Sequence, residues 1–411
     1  MQTERRRTLI DLRHRLRWEY IPSLSGQSAI LGRSGSRPQK IEASAHPGAA
    51  MTGTVIINGK FFGAALEGMP RVGREITAAM DKLLAEPAWS HMDLRLCVPR
   101  GTSVSPELRN IPLDQAGRRR GFLWEQIDLP RHAAGRLVLN FTSTGPVLSR
   151  RALTVVHDAQ QYSTPRSFHW KNRLLYRTVT PAVCRRHARI LTVSEFARQQ
   201  ILQHRLCGAE KIVVVHNAAD HMLRIPAARG ILDRLRNPTA GFLLCNSYTH
   251  AHKNVRVIFE ALGSRPDLAG RLVLFGSCTR RHYEAKGIAV PEGVQFLGRV
   301  TDEELRCLFS CAAMFLFPSK TEGFGLPALE AMILGCPTIA ASAGALPEVC
   351  GDGALYADPS RPAEWLAAIT TLLGDGPRRQ ALGQAGRCRA ASFSWMRSAE
   401  RYLELISSTA S

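Results

Sequence analysis

From Val55 onward, short apolar runs alternate with longer stretches of helical pattern, and few folds accept that alternation. Thr54–Ile57, Leu94–Val98, Leu137–Asn140, Leu153–Val156, Ile190–Val193 and Ile212–Val215 read as strands. A Pro/Arg-rich segment, about Arg224–Thr239, interrupts the pattern. It restarts with Phe242–Cys245, Arg271–Phe275, Val294–Phe296, Ala313–Phe317 and Thr338–Ala340. Continuous apolar strands separated by helices imply parallel sheets covered on both faces. The expected class is therefore α/β, with two doubly wound domains over residues 51–223 and 240–391. A linker at 224–239 joins them, and a helix within 392–411 ends the chain.

The bulk properties agree with two ordinary cores: 411 residues, 45% of them hydrophobic. No apolar run reaches the roughly 18–20 residues that cross a bilayer. Ten cysteines occur without a CxxC pair or metal-like spacing, so reduced thiols and a cytoplasmic setting are expected, and no metal site. Cys307 and Cys311 read as packing residues on one helix face. The net charge of +20 favours anionic partners: nucleic acid, acidic lipid head groups or phosphorylated substrates. No helix-turn-helix, RRM or zinc-finger pattern supports nucleic acid. Residues 1–50 are Arg-rich, then Ser/Gly/Pro-rich, and are expected to be a disordered basic extension or an over-long reading-frame start. A basic amphipathic membrane anchor within 5–20 is the functional alternative.

The string FPSKTEGFGLPALE, Phe317–Glu330, carries the chemistry. It reads as a strand end, a loop, then a helix starting near Pro327, since proline suits a first helical turn. Gly323 and Gly325 let the backbone approach a ligand. The helix start favours a phosphate. Glu322 in the loop and Glu330 in or just after the first turn can accept hydrogen bonds from two parts of one polyhydroxylated molecule, as a sugar nucleotide is.

The same string, with its continuation AMILGCPTIAASAGALPEVCGDGALYADP (Ala331–Pro359), resembles the Glu-x7-Glu motif of retaining GT-B glycosyltransferases of family 4. The resemblance covers about Val55 to Ile406, and INGKFFGAALEGMPRVGREI (Ile57–Ile76) narrows it to an exopolysaccharide and O-antigen mannosyltransferase-like subgroup. It implies two Rossmann-like domains facing across a cleft, with the helix in FSWMRSAERYLELI (Phe393–Ile406) crossing back to the first. It also implies a nucleotide-sugar donor, a glycan or lipid-pyrophosphate-linked acceptor, contact with a membrane surface, and no cofactor or metal. By resemblance Glu322, Phe324, Gly325 and Leu326 hold the donor sugar, and Glu330 binds the ribose hydroxyls.

Without an evident metal site, cations and backbone dipoles must stabilise the charge left on the β-phosphate. Lys253, in THAHKNVRVIFEAL (Thr249–Leu262), is the candidate cation. The family usually has Arg-Lys there, and this chain has His252 before Lys253. Gly276 stands at a strand end near the donor. Arg299 and Val300, in FLGRVTDEEL (Phe296–Leu305), match the segment that receives the base, while Thr301 and Glu304 form a capping box. In the first domain His157 and Asp158, in VVHDAQQYSTP (Val155–Pro165), match a His-Asp pair, its His near donor sugar and acceptor. In a front-face retaining mechanism the departing phosphate oxygen takes the acceptor proton, so His157 need not be a general base.

Gly68 precedes the first long helix on the acceptor side. Arg71 and Arg74 read as exposed helix charges, with acceptor-phosphate contacts as the alternative. Trp124, Glu125 and Gln126 are candidates for the acceptor wall. Ser194 reads as an N-cap, and Asn217 and Asp220 as turn-formers. The leading expectation is a hexosyltransferase using GDP-mannose, then a UDP-sugar. A nucleotide-sugar 2-epimerase of the same fold and a non-catalytic basic nucleic-acid-binding protein are the alternatives.

Overall fold

The computed structural model describes residues 53–64, 68–104, 108–164, 170–237 and 241–410. The extension at 1–50, the membrane anchor expected within it, and linker positions 238–239 lie outside these. Two parallel sheets carry the fold. The first contains β1 (Val55–Asn58), β2 (Leu94–Pro99), β3 (Leu113–Ala116), β4 (Leu137–Asn140), β5 (Ala152–Val155), β6 (Arg189–Thr192) and β7 (Ile212–Val214), in the order β3-β2-β1-β4-β5-β6-β7. The second contains β8 (Leu243–Asn246), β9 (Leu272–Phe275), β10 (Gln295–Gly298), β11 (Met314–Phe317), β12 (Thr338–Ala341) and β13 (Leu355–Ala357), in the order β10-β9-β8-β11-β12-β13.

Strand order reverses between β1 and β4, and again between β8 and β11. Ligands enter an open α/β sheet beyond the strand ends at such a reversal. Every residue of β1, β4, β8, β9 and β11 is buried, as strands covered by helices on both faces must be. The sequence pattern did not reveal β3 and β13. Both are edge strands with exposed or half-exposed residues: β3 is interrupted by Asp114 and Gln115, and β13 is only three residues long.

The last helix, Trp395–Ala410, lies against the helix Met69–Leu83 of the first half. Its Tyr402 ring stands 5.5 Å from that of Phe141. The two crossing segments are stapled together. The Trp395 backbone N–H donates to Asp220 Oδ1 at 3.1 Å, and the Ser398 hydroxyl donates to the His216 carbonyl at 2.7 Å. Asp220, expected to shape only a turn, therefore caps a helix 175 residues away.

A buried polar chain crosses the first sheet at its reversal point. Asn58 Nδ2 donates to Asn140 Oδ1 at 3.0 Å, Asn140 Nδ2 to Thr154 Oγ1 at 3.0 Å, and Thr154 Oγ1 meets His187 Nδ1 at 2.7 Å. His187 Nε2 donates to the Pro146 carbonyl at 3.1 Å. Glu125 joins this chain fully buried, bound to Lys60 Nζ at 2.6 Å, and Trp124 is buried beside it. Neither can form an acceptor wall. Trp124 donates from Nε1 to the Ala116 carbonyl, and Glu125 holds the loop that follows β4, which Gln126 also pins through Gly145 and Val147.

Burial pushes the His187 pKa down to about 4, against which its bond to the Pro146 carbonyl acts. The unfolded chain then takes up the proton first. The stability contributed by neutral His187 is full above about pH 6.5 and lost as pH falls toward 4, by up to about 3 kcal/mol. Urea unfolding at pH 7 and pH 4.5 should show a smaller acid loss in His187→Gln than in the unmodified chain. Equal losses would mean His187 is not held neutral.

Candidate active site

Between the two sheets lies a cavity of about 310 Å³. Twelve of the residues expected near donor or acceptor line it: Gly68, His157 and Asp158 from the first half, and from the second Lys253, Gly276, Arg299, Val300, Glu322, Phe324, Gly325, Leu326 and Glu330; Trp124, Glu125 and Gln126 do not.

The loop after β11 is fixed before any ligand arrives. Asn254 occupies the left-handed region at φ 54° and donates from Nδ2 to the Pro318 and Pro359 carbonyls at 3.2 and 2.7 Å. The Lys320 N–H donates to the His252 carbonyl at 2.7 Å. These bonds set the turn carrying Lys253 beside the loop carrying Glu322, and Lys253 Nζ meets Glu322 Oε1 at 2.7 Å. Burial pulls the Lys253 pKa down, but the Glu322 carboxylate more than offsets it, and the net shift is upward. Lys253 is therefore a fixed cation, with the Tyr248 ring 5.5 Å from its Nζ. His252 is buried and pushed down to about 4 by burial first and by Lys253 second. It does not line the cavity, so the resemblance to an Arg-Lys pair fails at its first position.

Gly323 lines the cavity and has a further use. A Cβ there would stand 2.1 Å from the His157 carbonyl oxygen, so the missing side chain also admits the opposite half of the protein. Around this contact the Ser194 hydroxyl donates to the Gly323 carbonyl at 2.6 Å, and Gln160 Nε2 to the Thr321 carbonyl at 3.2 Å. Ser194 also caps its own helix through Ala197 N–H, as expected. Gly325, at φ 93°, does need glycine's freedom, and the helix Leu326–Ile333 starts immediately after it with proline in the first turn. Gly276 is at φ 131° with the Ser247 carbonyl 2.9 Å from where its Cβ would be.

His157 is buried, and burial takes its pKa down to about 4. Its Nε2 lies 2.9 Å from the Phe141 carbonyl, which can only accept. The hydrogen is therefore on Nε2, and Nδ1 keeps a lone pair for a hydroxyl donor. Asp158 is pushed upward by burial, with Glu322 adding to the shift.

Glu330 sits one and a half turns into its helix, 5% exposed. Burial opposes its charge, yet its pKa is lowered, because His221 and Arg71 reach it. His221 Nε2 lies 3.2 Å and Arg71 Nε 3.8 Å from Oε1. Arg71 also meets Asp302 Oδ1 at 2.5 Å. The reading of Arg71 as an exposed helix charge is thus corrected: it is 6% exposed and joins the two halves, because two carboxylates of the second half face it. Arg74 is half-exposed and donates to the Phe62 and Ala64 carbonyls. Sequence reasoning missed His221, Asp302 and Glu348. Glu348 accepts the N–H groups of Glu195 and Phe196 at 2.8 and 3.0 Å, capping a first-half helix from the second half. None of these has a local signal, since each partner is more than a hundred residues away in the chain.

Among the described residues, no group of three or more His, Cys, Asp or Glu is placed to hold a metal, and no helix is long and apolar enough to cross a membrane.

The family described as "Glycosyl transferases group 1" matches residues 240–375. The O-antigen chain mannosyltransferase B of Escherichia coli is 33% identical over 259 residues, 60% of this chain and 67% of its own length. The D-inositol 3-phosphate glycosyltransferase of Corynebacterium diphtheriae is 34% identical over 156 residues, 36% of each chain. The match thus spans from about a third to two thirds of these curated relatives. A sucrose-phosphate synthase structure from Thermosynechococcus elongatus superposes with a TM-score of 0.66 at 17% identity, covering 86% of this chain and 98% of that one. With two facing parallel sheets, this likeness identifies the fold as GT-B.

Gly323→Ala should destabilise the protein by about 1–3 kcal/mol in urea unfolding, because neither backbone at the contact can yield cheaply. Gly63→Ala, with nothing within 4 Å of the added carbon, is the control and should change stability by less than about 0.5 kcal/mol.

Proposed function

The chain belongs to the glycosyl transferases group 1 family, and we propose that it moves a hexose from a nucleotide sugar to a growing glycan with retention of anomeric configuration. The observation that carries this is the placement of Glu322 and Glu330 on one loop–helix unit, with a fixed lysine at one and a lowered carboxylate pKa at the other. Glu330, kept ionised, accepts the ribose hydroxyls. Lys253 and the N–H groups opening the helix Leu326–Ile333 face the diphosphate and stabilise the charge left on it. Glu322 and the backbone of Phe324, Gly325 and Leu326 take the sugar hydroxyls. Gly276, Arg299 and Val300 border the nucleotide.

Across the cleft, His157 Nδ1 accepts from a hydroxyl of the sugar or acceptor, and Gly68 and Asp158 form the acceptor side. With His157 neutral, the departing phosphate oxygen takes the acceptor proton on the same face from which the sugar leaves. The charge arrangement requires no metal. GDP-mannose is the first choice of donor, from the likeness to the O-antigen chain mannosyltransferase, and a UDP-sugar is second. A lipid-pyrophosphate-linked glycan is the acceptor. The net charge of +20 supports a peripheral seat on the cytoplasmic membrane face.

A thermal-shift panel of GDP-mannose, UDP-glucose, UDP-galactose and UDP-GlcNAc tests the donor. One base should raise the melting temperature, and Glu330→Ala should remove the shift. An equal shift in that variant counts against the ribose assignment. With the donor known, Lys253→Ala should lower kcat by about a hundredfold or more, and NMR of the first product should show the donor's own anomer. An inverted product would overturn the mechanism.

A further inference from the structure

Glu330 is only one member of a buried relay. Behind it His221 is 2% exposed and stands on the single helical turn Asp220–Leu223, in the segment that leads from the first sheet to the second. Behind His221 is Trp395, 1% exposed, the first residue of the helix that crosses back. Trp395 Nε1 lies 3.1 Å from His221 Nδ1, and His221 Nε2 lies 3.2 Å from Glu330 Oε1.

The chemistry of these atoms settles the direction of both bonds. An indole N–H can only donate, so His221 Nδ1 must be the acceptor. A neutral imidazole that accepts at Nδ1 carries its hydrogen on Nε2, which therefore donates to the carboxylate. Both imidazole nitrogens thus have a partner that suits them.

We propose that His221, fixed as the Nε2–H tautomer by Trp395, is a positioning residue that aims the Glu330 carboxylate at the nucleotide ribose. This rests on the assignment of Glu330 to the ribose. One Glu330 oxygen is tied to His221 and Arg71, which leaves the other to face the cavity that Glu330 lines. Without the His221 N–H, the contact left to this oxygen among the described residues is the longer one at 3.8 Å to Arg71, which is itself drawn to Asp302. It would then turn toward the arginine and away from the ribose. Nucleotide recognition is thereby linked to the two crossing segments rather than confined to the second half.

The test compares GDP with 2′,3′-dideoxy-GDP by titration calorimetry, or the UDP pair if UDP is the nucleotide that raises the melting temperature. The unmodified protein should prefer the ribonucleotide by about tenfold or more, the worth of hydrogen bonds to a charged group. Glu330→Ala should abolish that preference. His221→Leu and Trp395→Phe should each shrink it to about threefold or less, with affinity for the dideoxy form unchanged within about twofold. His221→Gln, which keeps an N–H donor, should restore part of it. If Glu330→Ala keeps the preference, the ribose assignment fails and this inference falls with it. If only Glu330→Ala loses it, the ribose assignment stands and His221 merely packs. A variant that binds both nucleotides equally more weakly also marks His221 as packing. Should neither pair bind, both readings fall.

Discussion

A carboxylate taken out of water must be held by partners that replace its hydration, and Glu330 imposes that condition on the whole molecule. Its partners come from three other places in the chain: Arg71 on the first long helix, His221 on the outgoing crossing segment, and Trp395 on the returning helix through His221. Arg71 adds a fourth through Asp302. These elements must all be in place for the charge to be tolerated. The crossing helix is thus more than a tether between the halves. Removing any one partner leaves a buried charge short of a contact, so the arrangement of the halves is set where the nucleotide would be read.

The central strands were legible because burial on both faces leaves an uninterrupted apolar run, as in the fully buried β1, β4, β8 and β11. The edge strands were not, because an edge residue such as Leu113, 44% exposed, need not be part of such a run. The same division holds in the cleft. Glu322, Gly325 and Glu330 announce themselves by spacing on one loop–helix unit. Arg71 does not: the sequence shows an arginine at a helix start, and only the approach of Asp302, 231 residues later, makes it a buried bridge. His221 is the extreme case, with partners 109 and 174 residues away and no periodicity to mark it. Glycine was ambiguous in its own way. Gly323 signalled that something comes close, and sequence alone could not tell a ligand from the His157 carbonyl.

The contacts that join the halves fall into two chemical kinds, and the difference bears on how the cleft can work. At the crossing segments they are buried: His221, Trp395, Arg71 and Glu330 are each at most 6% exposed. Separating them would strand charge and indole in a dry interior. A second set is polar and mixed in exposure. Glu348 caps the helix at Glu195 and meets His216 at 3.2 Å, with the His216 side chain 43% exposed, and Ser194 reaches the Gly323 carbonyl. Water can take over the half-exposed His216–Glu348 bond at little cost, because a net hydrogen bond between exposed groups is worth only about 1 kcal/mol, whereas the buried Ser194–Gly323 bond has no such replacement. A two-domain enzyme that must admit a nucleotide sugar and release a nucleotide needs one side that holds and one that yields. Here the buried charge cluster is of the first kind, and the half-exposed His216–Glu348 pair is of the second.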